Sequence, residues 1–186
     1  MHISISGTHG TGKTLLSKLL FERLNQEYPN QVTLIDEIER RLHITKGLPL
    51  NQLANLETYI NIIYERLKSE RLAKTIFVIS DRSLLDNYAY SLLAPNCLVP
   101  NNFKNMFKEI FLQETKYFDL YIYLPIQFSI IPNNIRSTDI EYQKLIDKKI
   151  KHFLYALNLP TIKVSGSIEE RANIIIKEIH KRHFNH

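Results

Sequence analysis

A chain of 186 residues with net charge +5, 44% hydrophobic and 23% charged, is long enough for one soluble globular domain with a full core. No stretch approaches the roughly 18 apolar residues that argue for a membrane span, and Met1 leads straight into a strand without the basic region and apolar core of a secretory leader. The single cysteine, Cys97, excludes an internal disulfide framework and a cysteine-rich zinc site, and a cytoplasmic location is expected.

In chain order, residues 2–6 read as the first strand, followed by a glycine-rich loop and a helix to about residue 28. Leu15, Leu16, Leu19, Leu20 and Leu24 give that helix its apolar face. Residues 32–35 form the second strand. A long helix is expected over about 50–74, with Leu53, Leu56, Ile60, Ile63 and Leu67 at helical spacing. Residues 75–80, β-branched and continuously apolar, suit a central parallel strand. Ser83 with Asp86 reads as a capping box for the next helix, which ends before Pro95. A helix over 102–114, a strand over 120–124, an irregular stretch over 125–137, a helix from its Asp139 cap to about 157, a strand over 161–164 and a last helix after Ser167 complete the chain. This alternation predicts a single α/β domain spanning 1–186, a parallel sheet with helices on both faces.

Gly7-Thr8-His9-Gly10-Thr11-Gly12-Lys13-Thr14 satisfies the pattern G-x-x-x-x-G-K-S/T, directly after a strand and before an amphipathic helix. Backbone N–H groups can wrap a phosphate only where side chains are absent and unusual dihedrals are tolerated. The helix start adds unpaired N–H donors and the positive end of its dipole. The chain holds only 5 glycines, and Gly7, Gly10 and Gly12 fall in this one loop. The reading is a P-loop that binds a nucleoside triphosphate with magnesium. Lys13 reaches the β- and γ-phosphates and the Thr14 hydroxyl ligates Mg2+. His9 occupies a variable position and is expected to be a spacer.

The N-K-x-D and D-x-x-G signatures of a switch GTPase are missing, and the chain is too short for an AAA+ motor with its helical lid domain. The residues 5–14 and Ile79-Ser80-Asp81-Arg82-Ser83-Leu84-Leu85-Asp86 resemble the nucleoside and nucleotide kinase group. Within it, the chain is similar to the small AAA-type ATP-binding kinases, such as the nicotinamide-riboside kinase domain and thymidylate kinase. The resemblance spans nearly the whole chain. It implies the P-loop NTPase three-layer sandwich, a five-stranded parallel sheet in the order 2-3-1-4-5, and ATP with Mg2+ as phosphoryl donor. Ile135-Arg136-Ser137-Thr138-Asp139 resembles the region that carries a lid arginine, so residues 125–138 are a candidate lid and Arg136 its arginine. Where that family has an Asp-Gly pair before the arginine, this chain has Asn133-Asn134.

The remaining candidates sit at the carboxyl ends of strands, where ligands bind in such sheets. Asp81 holds magnesium through water, orients an acceptor hydroxyl, or only caps a helix. Arg82 either offers a planar guanidinium to the acceptor or its phosphate, or makes a surface salt bridge. Asp36 and Glu37 close the second strand. The resemblance makes Glu37 the base or the ligand of the acceptor hydroxyl. Glu39, Arg40 and Arg41 read as a solvated helix start, with substrate contact by Arg40 as the alternative. Arg136 either closes over the phosphates or is an exposed loop arginine. Tyr59, Tyr64, Tyr88 and Tyr90 offer stacking groups for the acceptor or simply pack the core. The expected partners are a nucleoside triphosphate and a small-molecule phosphoryl acceptor, a nucleoside or nucleotide. A nucleotide-dependent binding module and a polynucleotide 5′-hydroxyl kinase are the alternatives. Lys144, Lys148 and Lys151 share one helix face, which serves nucleic acid or merely solvent. A homodimer stays open.

Overall fold

The computed structural model describes residues 1–127 and 138–184. Its strands are β1 (His2–Ser6), β2 (Val32–Ile35), β3 (Phe77–Asp81), β4 (Leu120–Tyr123) and β5 (Thr161–Lys163). All pair in parallel, in the order β2-β3-β1-β4-β5. Among the described residues the helices are α1 (Lys13–Glu27), α2 (Ile38–Lys46), α3 (Leu56–Leu72), α4 (Leu84–Ser91), α5 (Asn101–Glu114), α6 (Ile140–Ala156) and α7 (Ile168–His183). No described helix is long and apolar enough to cross a membrane. The candidate lid falls largely, and Arg136 wholly, outside the described residues.

Strand alternation divides the core into two. Ile3, Ile5, Phe77, Ile79, Leu120 and Ile122 pack with Leu16, Leu20 and Leu24 of α1 and with Ile175 and Ile179 of α7. Val78, Tyr121 and Tyr123 point to the other face, against α2 to α6. Ser4 and Ser6 share that second face and are fully buried. An apolar strand with two inward serines signals a polar network beneath the sheet, and the Ser6 hydroxyl donates to Asp86 at 2.8 Å.

Two helices differ from the sequence expectation for physical reasons. The helix expected from residue 50 begins at Leu56, because Asn55 and Thr58 form a reciprocal cap there. Its buried face is Tyr59, Ile62, Ile63, Arg66 and Glu70, whereas Leu53 and Ile60 are exposed. The start of α2 is not wholly solvated. Glu37 takes a left-handed conformation (φ 47°), so α2 begins at Ile38 with Ile38 and Leu42 buried. The same turn leaves Glu39 only 18% exposed. Caps at Asp139 and Ser167 start α6 and α7 as expected.

Candidate active site

The loop between β1 and α1 needs glycine where backbone meets backbone. A Cβ on Gly7 would lie 2.7 Å from the Leu124 carbonyl, at a φ of 152°. Gly12, at φ 87°, precedes α1, which opens with no side-chain cap and no acidic residue in its first turn. Uncapped N–H groups on a helix that lacks a first-turn carboxylate favour an anion.

Four side chains from three helices fix the rest of the loop. Asp86 of α4 accepts from the Gly7 N–H at 2.9 Å and the Ser83 N–H at 3.2 Å. The capping box is real, yet the same carboxylate anchors the P-loop. Tyr90 Oη accepts from the His9 N–H at 2.9 Å and also hydrogen-bonds His9 Nδ1 at 2.9 Å. Gln143 of α6 donates to the His9 carbonyl at 2.8 Å, and Arg171 of α7 donates to the Thr11 carbonyl at 2.9 Å. His9 is therefore a buried tie-point of the loop, more than a spacer.

Lys13 is buried, with its Nζ 2.5 Å from the Thr8 carbonyl. Burial, then the neighbouring Arg82 charge, lowers its pKa to about 7. The Thr14 hydroxyl donates to Asp81 Oδ2 at 2.5 Å, while Asp81 Oδ1 is buried without a partner among the described residues. Burial raises the Asp81 carboxyl above its usual value, against the pull of Lys13 and Arg82. A hydroxyl beside a carboxylate with an unused oxygen suits magnesium, which takes one or two protein oxygens and completes its octahedron with water and phosphate. No cluster of three or more His, Cys, Asp or Glu that suits a metal occurs among the described residues.

Opposite the loop lies the wall formed by α2, α3, the end of β3 and α4. Together they enclose a cavity of about 550 Å³, lined by Lys13, Thr14, Asp81, Arg82, Glu37 and Glu39, with Tyr59, Ile62 and Tyr90 as its apolar surface. Glu37 sits at the mouth, bound by Lys18 at 3.0 Å and Arg40 at 2.8 Å. Arg40, then Lys18, lowers its pKa. Glu39 lies deeper. Its Oε1 accepts from Arg66 at 2.8 Å and Asn87 at 2.7 Å. Burial opposes its charge, but Arg66 and Arg82 outweigh it and hold the pKa at about 2. Arg82, in a left-handed conformation (φ 74°), places its guanidinium 5.3 Å from the Tyr90 ring centroid. Burial works against this cation too, yet Tyr90, Glu39, Asp81 and Asp86 raise its pKa. Three non-glycine residues with a positive φ, Glu37, Asn51 and Arg82, border one cavity, as is usual at functional sites.

Of the tyrosines, Tyr59 and Tyr90 reach the cavity. Tyr88 stacks on Phe111 at 4.6 Å in the core, and Tyr64 is exposed under Lys68. Sequence reasoning passed over Arg66, Asn87, Gln143 and Arg171, and put Glu39 in solvent. The signal for Arg66 was its helical phase, one turn from the inward Ile62 and Ile63.

A family described as an AAA domain matches residues 2–171. The chain belongs to that family. No curated protein matches the sequence of this AAA domain. Several solved structures share its fold. Deoxyadenosine kinase from M. mycoides is 20% identical with a TM-score of 0.68, over 97% of this chain and 100% of that one. Thymidylate kinase from Ehrlichia chaffeensis is 19% identical with a TM-score of 0.66, over 97% and 98%. The NadR protein, in complex with NAD and AMP-PNP, is 16% identical with a TM-score of 0.71, over 97% of this AAA domain and 48% of that chain. The likeness bears out the P-loop kinase fold, with its strand order, that the sequence led us to expect.

Proposed function

We propose that this protein transfers the γ-phosphoryl group of ATP, bound with Mg2+, to a hydroxyl of a small acceptor, a nucleoside or nucleotide. The observation that carries the reading is the cavity of about 550 Å³ lined by Lys13, Thr14 and Asp81 together with Glu39 and Arg82. The fold shared with a deoxyadenosine kinase and a thymidylate kinase agrees with it.

In this reading the loop amides and Lys13 hold the β- and γ-phosphates, and Thr14 and Asp81 hold the metal. Magnesium supplies charge neutralisation on the phosphate oxygens. Glu39 Oε2 makes no hydrogen bond among the described residues and receives the acceptor hydroxyl. A carboxylate with a pKa near 2 is a poor proton acceptor. Its work is to orient the hydroxyl, which suffices for a loose, largely dissociative transfer that needs little help from a base. The Arg82 guanidinium makes no hydrogen bond to a described residue, so its donors serve the transferring group or an acceptor phosphate. Glu37, tied to Lys18 and Arg40 at the mouth, gives up to Glu39 the role first expected of it. Arg136 is assigned the lid position over the phosphates.

A panel of nucleosides and nucleotides, including deoxyadenosine and thymidine monophosphate, tests the reading through acceptor-dependent ADP formation, with Lys13→Ala as control. Acceptor-stimulated turnover that vanishes in the control is expected. Nucleotide binding with only slow, acceptor-independent hydrolysis across the panel would overturn it.

A further inference from the structure

Arg66 is fully buried in the middle of α3 and spends its guanidinium on four partners. Nε donates to Asn87 Oδ1 at 2.8 Å and Nη1 to the Arg82 carbonyl at 2.9 Å. Nη2 donates to Glu39 Oε1 at 2.8 Å and to the Asp81 carbonyl at 2.9 Å. Asn87 closes the ring by donating to the same Glu39 oxygen at 2.7 Å. One planar fork thus ties α2, the end of β3 and α4 to α3.

The fork's partners are chemically specific. Glu39 has one oxygen clamped by two donors and the other left toward the cavity. The Asp81 and Arg82 carbonyls flank the peptide whose left-handed residue, Arg82, lines that cavity. A lysine has the charge of Arg66 but not a rigid fork able to hold these four acceptors together. A purely structural arginine needs carbonyls alone, whereas this one grips the carboxylate that lines the site.

We propose that Arg66 is the positioning residue of the acceptor wall, fixing where the Glu39 carboxylate stands and how the chain turns to present Arg82. The inference rests on the reading of Glu39 as the group that receives the acceptor hydroxyl. Arg66 itself touches no reactant. It acts by holding a carboxylate ionised and aimed, so its loss falls on the acceptor and spares the triphosphate.

The test compares Arg66→Lys, Glu39→Gln and the double variant in the full chain, using the panel acceptor of highest turnover. Thermal unfolding and the affinity for a non-hydrolysable ATP analogue monitor the fold and the donor side. Arg66→Lys is expected to lower kcat/KM for the acceptor about 100-fold, the scale on which small misplacement acts, with analogue affinity unchanged. In the Glu39→Gln background the same change is expected to cost clearly less than it does alone, leaving only the part that acts through Arg82. Additive losses, or parallel loss of analogue binding, would overturn the proposal. A fully active Glu39→Gln would remove the functional reading itself. A crippled Glu39→Gln beside an unaffected Arg66→Lys would remove only the positioning inference. If Arg66→Lys does not fold, the wild-type protein carries the test. The Glu39 carboxyl-carbon NMR signal, assigned by its loss in Glu39→Gln, is expected to keep its ionised shift down to about pH 4. A midpoint at or above the ordinary value of 4.5 overturns the proposal.

Discussion

The two walls of the cavity are built by different means. In the proposed reading the donor wall is one loop, Gly7 to Thr14, whose working groups are backbone amides joined by Lys13 and Thr14. The acceptor wall is drawn from α2, α3, the end of β3 and α4, and its working groups are side chains gathered around Arg66. A backbone-built wall tolerates exchange of its variable side chains but not of its glycines. A wall built from side chains fails when any member of the network changes. The comparison can therefore be broken by substitutions that spare one wall and disable the other.

The largest effect is expected at Lys13. Lys13→Ala removes the one charged side chain of the donor wall and should cut turnover about 10²–10³-fold, as loss of one preorganised donor does. Analogue affinity should fall with it. Turnover within a few-fold of wild type would show that the loop is not the donor site.

Glu39→Gln should come next. It keeps an oxygen for Arg66 and Asn87 while removing the charge that faces the acceptor. A loss of about 100-fold in kcat/KM for the acceptor is expected, with analogue affinity intact. Glu37→Gln, which alters only the ion pairs at the mouth, should cost less than about threefold, since exposed ion pairs contribute little. The reverse ranking would restore Glu37 to the role the sequence suggested.

That ranking shows where the sequence is legible. The P-loop could be read because its residues are contiguous and each has a backbone reason to be there. Asp81 and Arg82 could be read because they end an unmistakable apolar strand. Glu39 could not. Its burial depends on a left-handed Glu37, and nothing in a glutamate codon forecasts a positive φ. Arg66 and Glu70 escaped for a related reason. Buried charges interrupt the apolar period of α3, so the eye follows Leu53 and Ile60, which are exposed, to the wrong face. Side-chain networks across distant elements leave no local pattern, which is why the acceptor wall needed the structure.

Backbone construction makes Gly7 the sensitive point of the donor wall. Gly7→Ala would set a Cβ against the Leu124 carbonyl at 2.7 Å, a backbone oxygen that cannot swing aside. A destabilisation of about 1–3 kcal/mol is expected in urea unfolding. Thr8→Ser, at one of the motif's variable positions, should change stability by less than about 1 kcal/mol.

If Lys13 holds the donor phosphates as proposed, it should also make donor binding pH-dependent. Its pKa of about 7 means that most of the unliganded protein carries it neutral at pH 8. Phosphate oxygens favour the charged form, so binding an ATP analogue should take up about one proton at pH 8 and little at pH 6. Affinity should weaken as pH rises above 7. Calorimetry in buffers of different ionisation heat reads the uptake directly. Uptake that is absent at pH 8, or undiminished in Lys13→Ala, would place the proton elsewhere.

The smallest effect on catalysis is expected behind the acceptor wall. Glu70 of α3 and Glu114 of α5 face each other in the core, and Glu114 accepts from the Leu84 N–H at 3.0 Å. Burial, then the neighbouring carboxyl, pushes Glu114 well above the usual carboxylate range; burial also raises Glu70. The pair therefore folds with at least one proton. A raised folded pKa contributes stability that is complete below the unfolded value of 4.5 and is lost as pH climbs through the folded one. Urea unfolding should show wild-type stability declining as pH rises from 5. Glu114→Gln keeps an acceptor for the Leu84 N–H and supplies the hydrogen permanently. It should flatten that decline, with a gain on the order of 1 kcal/mol at pH 8. Its kcat should stay within about twofold of wild type, because Arg66 still has Glu39, Asn87 and the two β3-end carbonyls to hold. A Glu114→Gln variant that loses acceptor turnover while gaining stability would mean that the pair, and not the fork alone, sets the place of Glu39.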